Sequence, residues 1–403
     1  MSPSAPGSGP IARDTRNESD GHREHAMSLI PTLAYRNLLH DRLRFVATVI
    51  GIVFSIVLVT IQLGLFLGFE RMVTNVIDHA PADLWIVPQG TKCFEDPSLM
   101  NGKNGAAARN VPGVTAVTPA IIGFSEWTVP SGGTTPIFVV GSAIGADGLH
   151  PWHIVGGKLG ALETPHAVAI DKTYLGRLGV SGLGSSTEIR GQAARVAVVT
   201  DGIRSFTTTP YVFTALDQAR AYIGAPRDAV SYFLVRLAPG ANVDAVRKQL
   251  SAKLSKVDVL TPAEFRSRSR AFWLFGTGAG AALFAGALLG AIVGTVIVAQ
   301  TLYSSTKDHI NEFATLRAIG SSGMYVHKVI LCQALISAVV AFSFAACIGL
   351  IAVHLTAESA LPILMTPELT IGLFMLTVLM CVASAAAAIV QVIRIEPVRV
   401  FKQ

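Results

Sequence analysis

Charged side chains are scarce in this sequence. Asp, Glu, Lys and Arg make up 14% of its 403 residues, and hydrophobic residues make up 51%. A soluble domain usually carries about 25% charged residues, so the deficit argues against an ordinary soluble protein and favours a membrane protein. The net charge of +6 comes from dispersed basic residues without an aromatic-interleaved patch, and it does not indicate nucleic-acid binding.

The sequence also lacks the motifs of ATP binding and of common hydrolases. No G-x-x-x-x-G-K-[ST] loop is present, because "GGKLG" at 156–160 lacks the leading Gly and the trailing Ser or Thr. No G-x-S-x-G elbow and no H-E-x-x-H zinc motif occurs. The histidine pairs in "HREH" and "HPWH" provide too few ligands for a metal site. We therefore predict neither catalytic residues nor a cofactor or metal bound by this chain.

Cysteine is rare as well. Cys332, Cys347 and Cys381 fall in apolar segments, where cysteine usually serves as a small hydrophobic residue. Cys93 is the only cysteine in the long segment after the first apolar run, so no intrachain disulfide is expected there. Simple burial of Cys93 is favoured over a reactive or intermolecular role.

Four charge-free runs are present instead. Each exceeds the roughly 20 residues that a helix needs to cross a bilayer, and together they predict transmembrane helices at 45–69, 271–303, 326–355 and 369–393. The first run, of 25 residues, is too long for the apolar region of a signal peptide, typically about 7–15 residues. The second charge-free run, 271–306, has 36 residues. As a helix it would reach about 54 Å, which predicts a stalk that projects beyond the membrane.

The distribution of Lys and Arg predicts the orientation of these helices. Basic residues precede the first run, follow the second and occur in the tail, whereas the loop 358–368 has none. By the positive-inside rule, both termini and the loop after the second helix face the cytoplasm. Residues 70–270 then face the other side.

The polar residues 1–26, rich in Ser, Gly and Pro, are predicted to be a disordered tail. Residues 27–44 are predicted to form an amphipathic helix on the cytoplasmic surface. A translation start at Met1 and one at Met27 both remain open.

Residues 70–270 are predicted to form an α+β domain. Six segments rich in Val, Ile, Phe and Tyr, bounded by turn residues, are predicted strands: "ADLWIVP", "GVTAVTP", "TPIFVVGSAI", "HAVAI", "ARVAVVT" and "VSYFLVRLAP". "FTALDQARAYIG" and "NVDAVRKQLSAKLSK" are predicted helices. The order of strand 230–237, helix 242–256 and strand 257–260 indicates a βαβ unit.

A row of glycines marks one face of the second apolar helix. Gly286, Gly290 and Gly294 are spaced four residues apart, and small residues at this spacing let helix backbones approach closely in lipid. We predict a packing face there, either within the chain or across a dimer.

Charged residues cluster in the loop after that helix. Ser305 and Asp308 fit a capping box, apolar residues follow at helical spacing, and Gly320 is a suitable C-cap. We predict a short amphipathic helix at 306–320. The residue pattern alone fits a mere connector about as well as a docking surface for a cytoplasmic partner.

The same loop resembles a known family. "EFATLRAIGSS" at 312–322 is similar to the signature of FtsX/MacB-type ABC transporter permeases, and most similar to its DevC-like branch. Residues 33–52 and 61–69 resemble the first-helix region of that branch. Ala314 stands where glycine is usual.

The resemblance implies an α-helical protein of the bacterial inner membrane. It implies four transmembrane helices, an α+β MacB-like periplasmic core domain at 70–270 between helices one and two, and an FtsX-like permease domain at 271–403. It implies a homodimer with a separate cytoplasmic ATPase, which holds ATP and Mg. The coupling helix that contacts the ATPase would then comprise Lys307, Ile310, Glu312, Phe313, Leu316, Arg317 and Gly320.

The DevC-like form further implies export of a substrate through a periplasmic adaptor (a membrane-fusion protein) and an outer-membrane channel. An FtsX-like signalling permease that controls a cell-wall hydrolase and a lipoprotein-releasing permease are the alternatives. A membrane-anchored enzyme is disfavoured, because residues 70–270 show no nucleophile–base or metal constellation. The exported substrate does not follow from the sequence.

Overall fold

The computed structural model describes residues 34–36, 40, 42–308 and 323–393. It forms two compact units. The helical unit comprises Met1–Thr60, Gly286–Leu350 and Met365–Gln403, and the sheet unit comprises Ile61–Ala285 and Ile351–Leu364. The predicted tail 1–26 and most of the predicted amphipathic helix 27–44 lie outside the described residues.

The described part of the chain contains nine α-helices. They are α1 (Arg42–Asp78), α2 (Lys103–Arg109), α3 (Leu175–Leu178), α4 (Leu216–Ile223), α5 (Val243–Lys253), α6 (Pro262–Arg270), α7 (Ala279–Asp308), α8 (Gly323–Thr356) and α9 (Pro367–Ile393). Short 3₁₀ turns occur at Leu159–Glu163 and Lys172–Tyr174.

Four of these helices, α1, α7, α8 and α9, are long and apolar enough to cross a membrane. Their apolar spans are Phe45–Asp78, Ala279–Thr301, His327–Thr356 and Pro367–Ala387. The prediction of four such helices is confirmed.

Three helix boundaries differ from the predicted ones by five residues or more. One is the end of α7, which continues to Asp308 instead of ending at 303 and so includes the residues 306–308 at which the coupling helix was predicted to begin. Helix α1 continues to Asp78 instead of ending at 69, because Val73, Val76 and Ile77 are buried in the core of the sheet unit. The second apolar run is not one uninterrupted helix from 271. Its residues Ala271–Gly276 form a π-helical turn, and Gly278 adopts a φ of 76° before α7 begins.

The core of the helical unit consists largely of small side chains. Ala334, Ala338, Ala341, Ala345 and Ala385 are buried together with branched aliphatic residues of α1 and α7. Small residues allow helices to approach closely where lipid offers no hydrophobic driving force. The unit is therefore held by close backbone packing and by hydrogen bonds between helices.

The sheet unit contains the strands. They are β1 (Leu84–Pro88), β2 (Met100–Asn101), β3 (Val114–Thr128), β4 (Thr134–Ser142), β5 (Ile154–Gly157), β6 (Ala167–Asp171), β7 (Ser186–Ile189), β8 (Gln192–Thr200), β9 (Tyr211–Ala215), β10 (Ala229–Val230), β11 (Tyr232–Leu237) and β12 (Val257–Leu260). Each predicted strand segment contains an observed strand, and both predicted helices are present. The predicted helix segment 213–224 begins too early, because residues 213–215 complete β9.

Ten strands form one mixed sheet in the order β12-β1-β11-β3-β4-β9-β6-β8-β5, with β7 against β3 and β8. Strands β11 and β12 both pair antiparallel with β1, so they run parallel to each other on either side of it. The predicted βαβ unit is therefore present in split form, with α5 as its crossover helix.

Both faces of this sheet are buried. On β3 and β4, Ile122 and Val140 belong to one apolar cluster, whereas Ile121 and Val139 belong to another. Successive side chains of a strand point to opposite faces. The near-continuous apolar runs of these strands follow from this two-sided burial.

Candidate functional site at the base of the sheet

Helix α6 connects the sheet to the start of the second apolar run. Thr261 caps the helix in a capping box with Glu264, and Pro262 occupies its first turn. The helix ends at Arg270, immediately before the π-helical turn. Its start is thus set locally by the capping box, directly after the end of β12.

All four charged side chains of α6 are paired with residues of other elements. The pairs are Glu264 with Arg247 (2.7 Å), Arg266 with Asp78 (2.9 Å), Arg268 with Asp258 (2.7 Å) and Arg270 with Glu70 (3.3 Å). These side chains are partly exposed, so each pair contributes no more than about 1 kcal/mol. Together they fix α6 against α1, α5 and β12.

Phe265 anchors the opposite side of α6 in the core of the sheet. Its side chain is fully buried, and its ring lies 5.2 Å from that of Trp85 and 5.7 Å from that of Tyr232, measured between centroids. Phe94 lies 6.5 Å away. Aromatic pairs at such distances stabilise by about 0.5–1.5 kcal/mol beyond their buried area, so Phe265 is the main apolar contact between α6 and the sheet.

The π-helical turn is joined to the sheet through a buried carboxyl group. Glu95 accepts a hydrogen bond from Tyr211 Oη (2.8 Å) and another from Trp273 Nε1 (3.0 Å). Tyr211 belongs to β9 and Trp273 to the π-helical turn. π-Helical insertions are frequent at functional sites, and this one directs the indole of Trp273 toward Glu95.

The surroundings of Glu95 are largely apolar. A cavity of about 250 Å³ is lined by Cys93, Glu95, Phe138, Tyr211 and Trp273, among others. Burial raises the pKa of Glu95 above its ordinary value of 4.5, and the hydrogen bonds from Tyr211 and Trp273 oppose this only in part. Burial also raises the pKa of the Cys93 thiol to about 12. The thiol is therefore protonated and unreactive at neutral pH, in line with the predicted burial of Cys93.

The raised pKa of Glu95 predicts a pH-dependent stability. Between 4.5 and the raised value, the folded protein binds more protons than the unfolded chain, so its stability falls as the pH rises through that window. In the variant Glu95→Gln, the new side-chain amide can accept from Trp273 and donate to Tyr211. We expect this variant to melt with a flatter pH profile and at a higher temperature than wild type near neutral pH, measured by thermal unfolding in detergent from pH 4 to pH 8.

Glu95→Ala provides the contrast. It leaves the half-buried Trp273 Nε1 and the buried Tyr211 hydroxyl without their acceptor. The loss costs about 1–3 kcal/mol for the buried hydroxyl. This variant should melt below wild type at every pH. The raised pKa of Glu95 would be contradicted if the melting temperature of wild type rose between pH 4.5 and neutral pH while that of the glutamine variant stayed constant.

The residues of the predicted coupling helix fall almost entirely outside the described residues. Lys307 is exposed near the end of α7. The other six, Ile310, Glu312, Phe313, Leu316, Arg317 and Gly320, are not among the described residues, and their role in contacting an ATPase stays a prediction.

The glycine row of α7 faces α1 in part. A Cβ atom on Gly290 would lie 3.1 Å from Leu58 Cδ2, and a Cβ atom on Gly294 would lie far inside the contact distance of Ser55 and 2.6 Å from Met380 Cε. Ser55 Oγ also donates a hydrogen bond to the carbonyl oxygen of Gly290 (2.6 Å). Gly290 and Gly294 are buried and Gly286 is half-buried. Gly290 and Gly294 therefore contact other helices of their own chain. A role of the glycine row in a dimer stays a prediction.

The sequence did not indicate the site around Glu95. A single glutamate in a loop gives no pattern, and its two donors lie 116 and 178 residues away in sequence. The one feature of the sequence that could have drawn attention to this region is the high charge of α6, in which four of nine residues are basic or acidic. Among the residues that the structure describes, no group of three or more His, Cys, Asp or Glu side chains could hold a metal ion.

Two family models match this chain. A MacB-like periplasmic core domain matches residues 45–253, and the C-terminal part of FtsX-like permeases matches residues 272–397. The first match alone covers more than half of the sequence. The chain belongs to the FtsX/MacB-type ABC transporter permeases. Permeases of this family work with a cytoplasmic ABC ATPase, and the four apolar helices make this one a multi-pass membrane protein.

Solved structures give more distant matches to the permease. The periplasmic region of MacB from Actinobacillus actinomycetemcomitans is 10% identical, with 49% of this chain and 96% of that chain covered and a TM-score of 0.37. The extracellular domain of the ABC-type transporter YknZ from Gram-positive bacteria is 16% identical, with 45% and 99% covered and a TM-score of 0.34. A domain of a putative permease from Porphyromonas gingivalis is 16% identical, with 45% and 90% covered and a TM-score of 0.31. None of the curated proteins matches this sequence. At these scores no argument about the permease rests on the solved structures.

Proposed function

We propose that this permease is the membrane subunit of a mechanotransmitting exporter of the DevC-like branch. Its sheet unit would lie in the periplasm and both termini in the cytoplasm, and the protein would act as a homodimer above two copies of a separate ATPase. ATP binding and hydrolysis by that ATPase would move the membrane helices, and the sheet unit would pass the motion to a periplasmic adaptor and an outer-membrane channel.

The observation that carries this proposal is the set of contacts around α6. Through Glu70 and Asp78, α6 is bound to α1, and through Phe265 and Asp258 it is bound to the sheet. Helix α1 is continuous from Arg42 to Asp78. A displacement of the last part of α1, which carries Glu70 and Asp78, is therefore transferred through α6 to the sheet by several contacts at once. A protein that transmits motion across the membrane needs such a connection.

A second observation argues against a membrane pore. The runs 45–69, 271–306, 329–357 and 369–393 contain no Asp, Glu, Lys or Arg, whereas channels and ion pumps usually carry ionisable residues at membrane depth. This composition fits a permease that moves its substrate in the periplasm better than one that passes the substrate between its membrane helices.

The experiment that tests the proposal is purification of the tagged full-length chain in mild detergent under conditions that trap ATP, followed by identification of the bound proteins. An ABC ATPase together with a periplasmic adaptor would support the exporter. An ATPase with a cell-wall hydrolase would assign the permease to the signalling branch, and an ATPase with a lipoprotein carrier would assign it to lipoprotein release.

Glu312→Arg tests the coupling helix in the same experiment. We expect it to abolish co-purification of the ATPase, because a reversed charge in the docking segment opposes a complementary groove. Glu188→Arg is the matched control, since it makes the same change at an exposed position on β7. Undiminished ATPase binding by the Glu312 variant would rule out this coupling assignment.

A further inference from the structure

A second, larger groove lies outside the site around Glu95. It has a volume of about 520 Å³ and runs between α1 and the segment formed by α6 and the π-helical turn. Its lining includes the charged side chains of Glu70, Arg266 and Arg270 and the apolar side chains of Phe66, Leu274 and Phe275. This volume falls in the range of sites for organic ligands, about 300–1,000 Å³.

The charge pattern of the chain places this groove at the edge of the hydrocarbon region. Glu70 is the first charged residue after the apolar run of α1, and Arg270 is the last one before the second run. These two side chains meet at 3.3 Å. The aromatic sequence "FWLF" at 272–275 follows directly, and aromatic residues are enriched where hydrocarbon meets the headgroups. With this charge pattern, one side of the groove would face lipid tails and the other would face headgroups.

The polar side of the groove retains hydrogen-bond donors. Arg266 and Arg270 are four residues apart on one face of α6, and each directs Nη1 to a carboxylate of α1. An arginine has five N–H donors in a planar fork that matches phosphate oxygens. In the described part of the chain, Arg270 Nε is buried without a hydrogen-bond partner. Donors of both guanidinium groups therefore remain for a further acceptor.

The apolar side of the groove is open to a hydrophobic ligand. The side chain of Phe275 is 71% exposed, whereas the neighbouring Leu274 is buried at 4%. Phe66 on α1 is half-buried and faces the same groove. An exposed phenylalanine beside a cleft at this depth is covered most favourably by an acyl chain.

We propose that this groove binds a membrane glycerophospholipid, with its phosphodiester at Arg266 and Arg270 and an acyl chain along Phe66 and Phe275. Each of the two arginines is paired with a carboxylate, so the net charge of the site is close to zero. Such a site favours a phosphodiester, with a single negative charge, over ligands with several negative charges. A free phosphate ion would use only the polar side of the groove. Diacylglycerol would use only the apolar side.

The test is native mass spectrometry of the full-length protein in detergent, with phosphatidylglycerol added at low molar ratio. Wild type and Arg270→Gln are mixed in one sample, because both then compete for the same lipid. We expect the lipid-bound fraction of the variant to be about tenfold lower, the loss typical of a removed charge-assisted hydrogen bond. Equal lipid-bound fractions of wild type and Arg270→Gln would overturn the proposal.

Three further variants separate lipid binding from loss of the ion pair with Glu70. Phe275→Ala leaves both arginines in place, and we expect it to bind lipid several-fold more weakly than wild type. Phe284→Ala removes a phenylalanine at an exposed position of α7 and should bind lipid as wild type does. Arg247→Gln removes a comparable ion pair with α6 outside the groove and should bind as wild type does. A loss in Arg247→Gln equal to that in Arg270→Gln would mean that the pairing of α6, and not the groove, determines binding.

Two ligands distinguish the possible sources of the phosphate. Phosphatidylethanolamine shares the phosphodiester and should bind as phosphatidylglycerol does. Glycerol 3-phosphate in large excess should not displace the lipid. Displacement by glycerol 3-phosphate would indicate a site for a free anion, and equal binding of diacylglycerol would indicate non-specific apolar adhesion; either result overturns the proposal.

Discussion

Replacing Gly294 by leucine is expected to unfold the helical unit or to prevent its assembly. A Cβ atom at this position would overlap Ser55, whose Cβ would be 2.5 Å away, and would approach Met380 Cε to 2.6 Å. Overpacking of a core typically costs about 1–3 kcal/mol. Here the shift of α1 would also break the hydrogen bond from Ser55 to Gly290, so we expect a loss of about 3 kcal/mol or more.

The measurement is thermal unfolding of the detergent-solubilised protein, followed with a thiol-reactive dye. Cys381 is fully buried in the core of the helical unit and becomes reactive when that core opens. Gly372→Leu is the matched control, because the space around Gly372 on α9 is open within 4 Å in the described structure. The packing argument would be wrong if the two variants melted at the same temperature.

Replacing Phe265 by alanine is expected to have a comparable effect on the sheet unit. The substitution opens a cavity among Trp85, Phe94 and Tyr232, and Phe→Ala changes in cores cost about 3–5 kcal/mol. The ion pairs of α6 contribute too little to compensate for this loss. We therefore expect a large decrease in the melting temperature of the sheet unit and a weakened connection between α6 and β1.

Phe124→Ala serves as the control for this substitution, because the side chain of Phe124 is 56% exposed and its removal should cost far less. Co-purification of the ATPase should persist in Phe265→Ala, since the predicted coupling helix lies elsewhere in the chain. Retained stability in Phe265→Ala would show that the ion pairs, and not this ring, hold α6 to the sheet.

The secondary structure was predictable wherever the local composition or the spacing of apolar residues distinguishes helices from strands. The four apolar helices follow from runs without charge, since a charged residue at membrane depth is costly. The strands that are buried on both faces, such as β3 and β4, follow from β-branched and aromatic runs between turn residues. Strands β2, β5, β7, β9 and β10 were not predicted as separate strands. Four of them have only two to four residues, too few for a periodic signal, and residues 213–215 of β9 were assigned to the predicted helix that follows.

The helix boundaries show what limits such predictions. The sequence from 271 onward has no charge and no proline before 306, and nothing local requires the π-helical turn. Its position depends on Trp273, whose indole donates to Glu95 178 residues earlier in the chain. Likewise, α1 extends to Asp78 because the sheet provides a buried environment for Val76 and Ile77.

Hydropathy, period and a local motif are properties of neighbouring residues. They were therefore enough to predict four apolar helices that are long enough to cross a membrane, a strand-rich domain between the first two, and membership of the ABC permeases. Only the tertiary structure decided which residues form the site around Glu95 and which line the groove at Arg266 and Arg270. Both sites join residues that are far apart in the sequence. The raised pKa of Glu95 and the ion pairs of Arg266 and Arg270 arise only when folding buries these residues and brings them into contact.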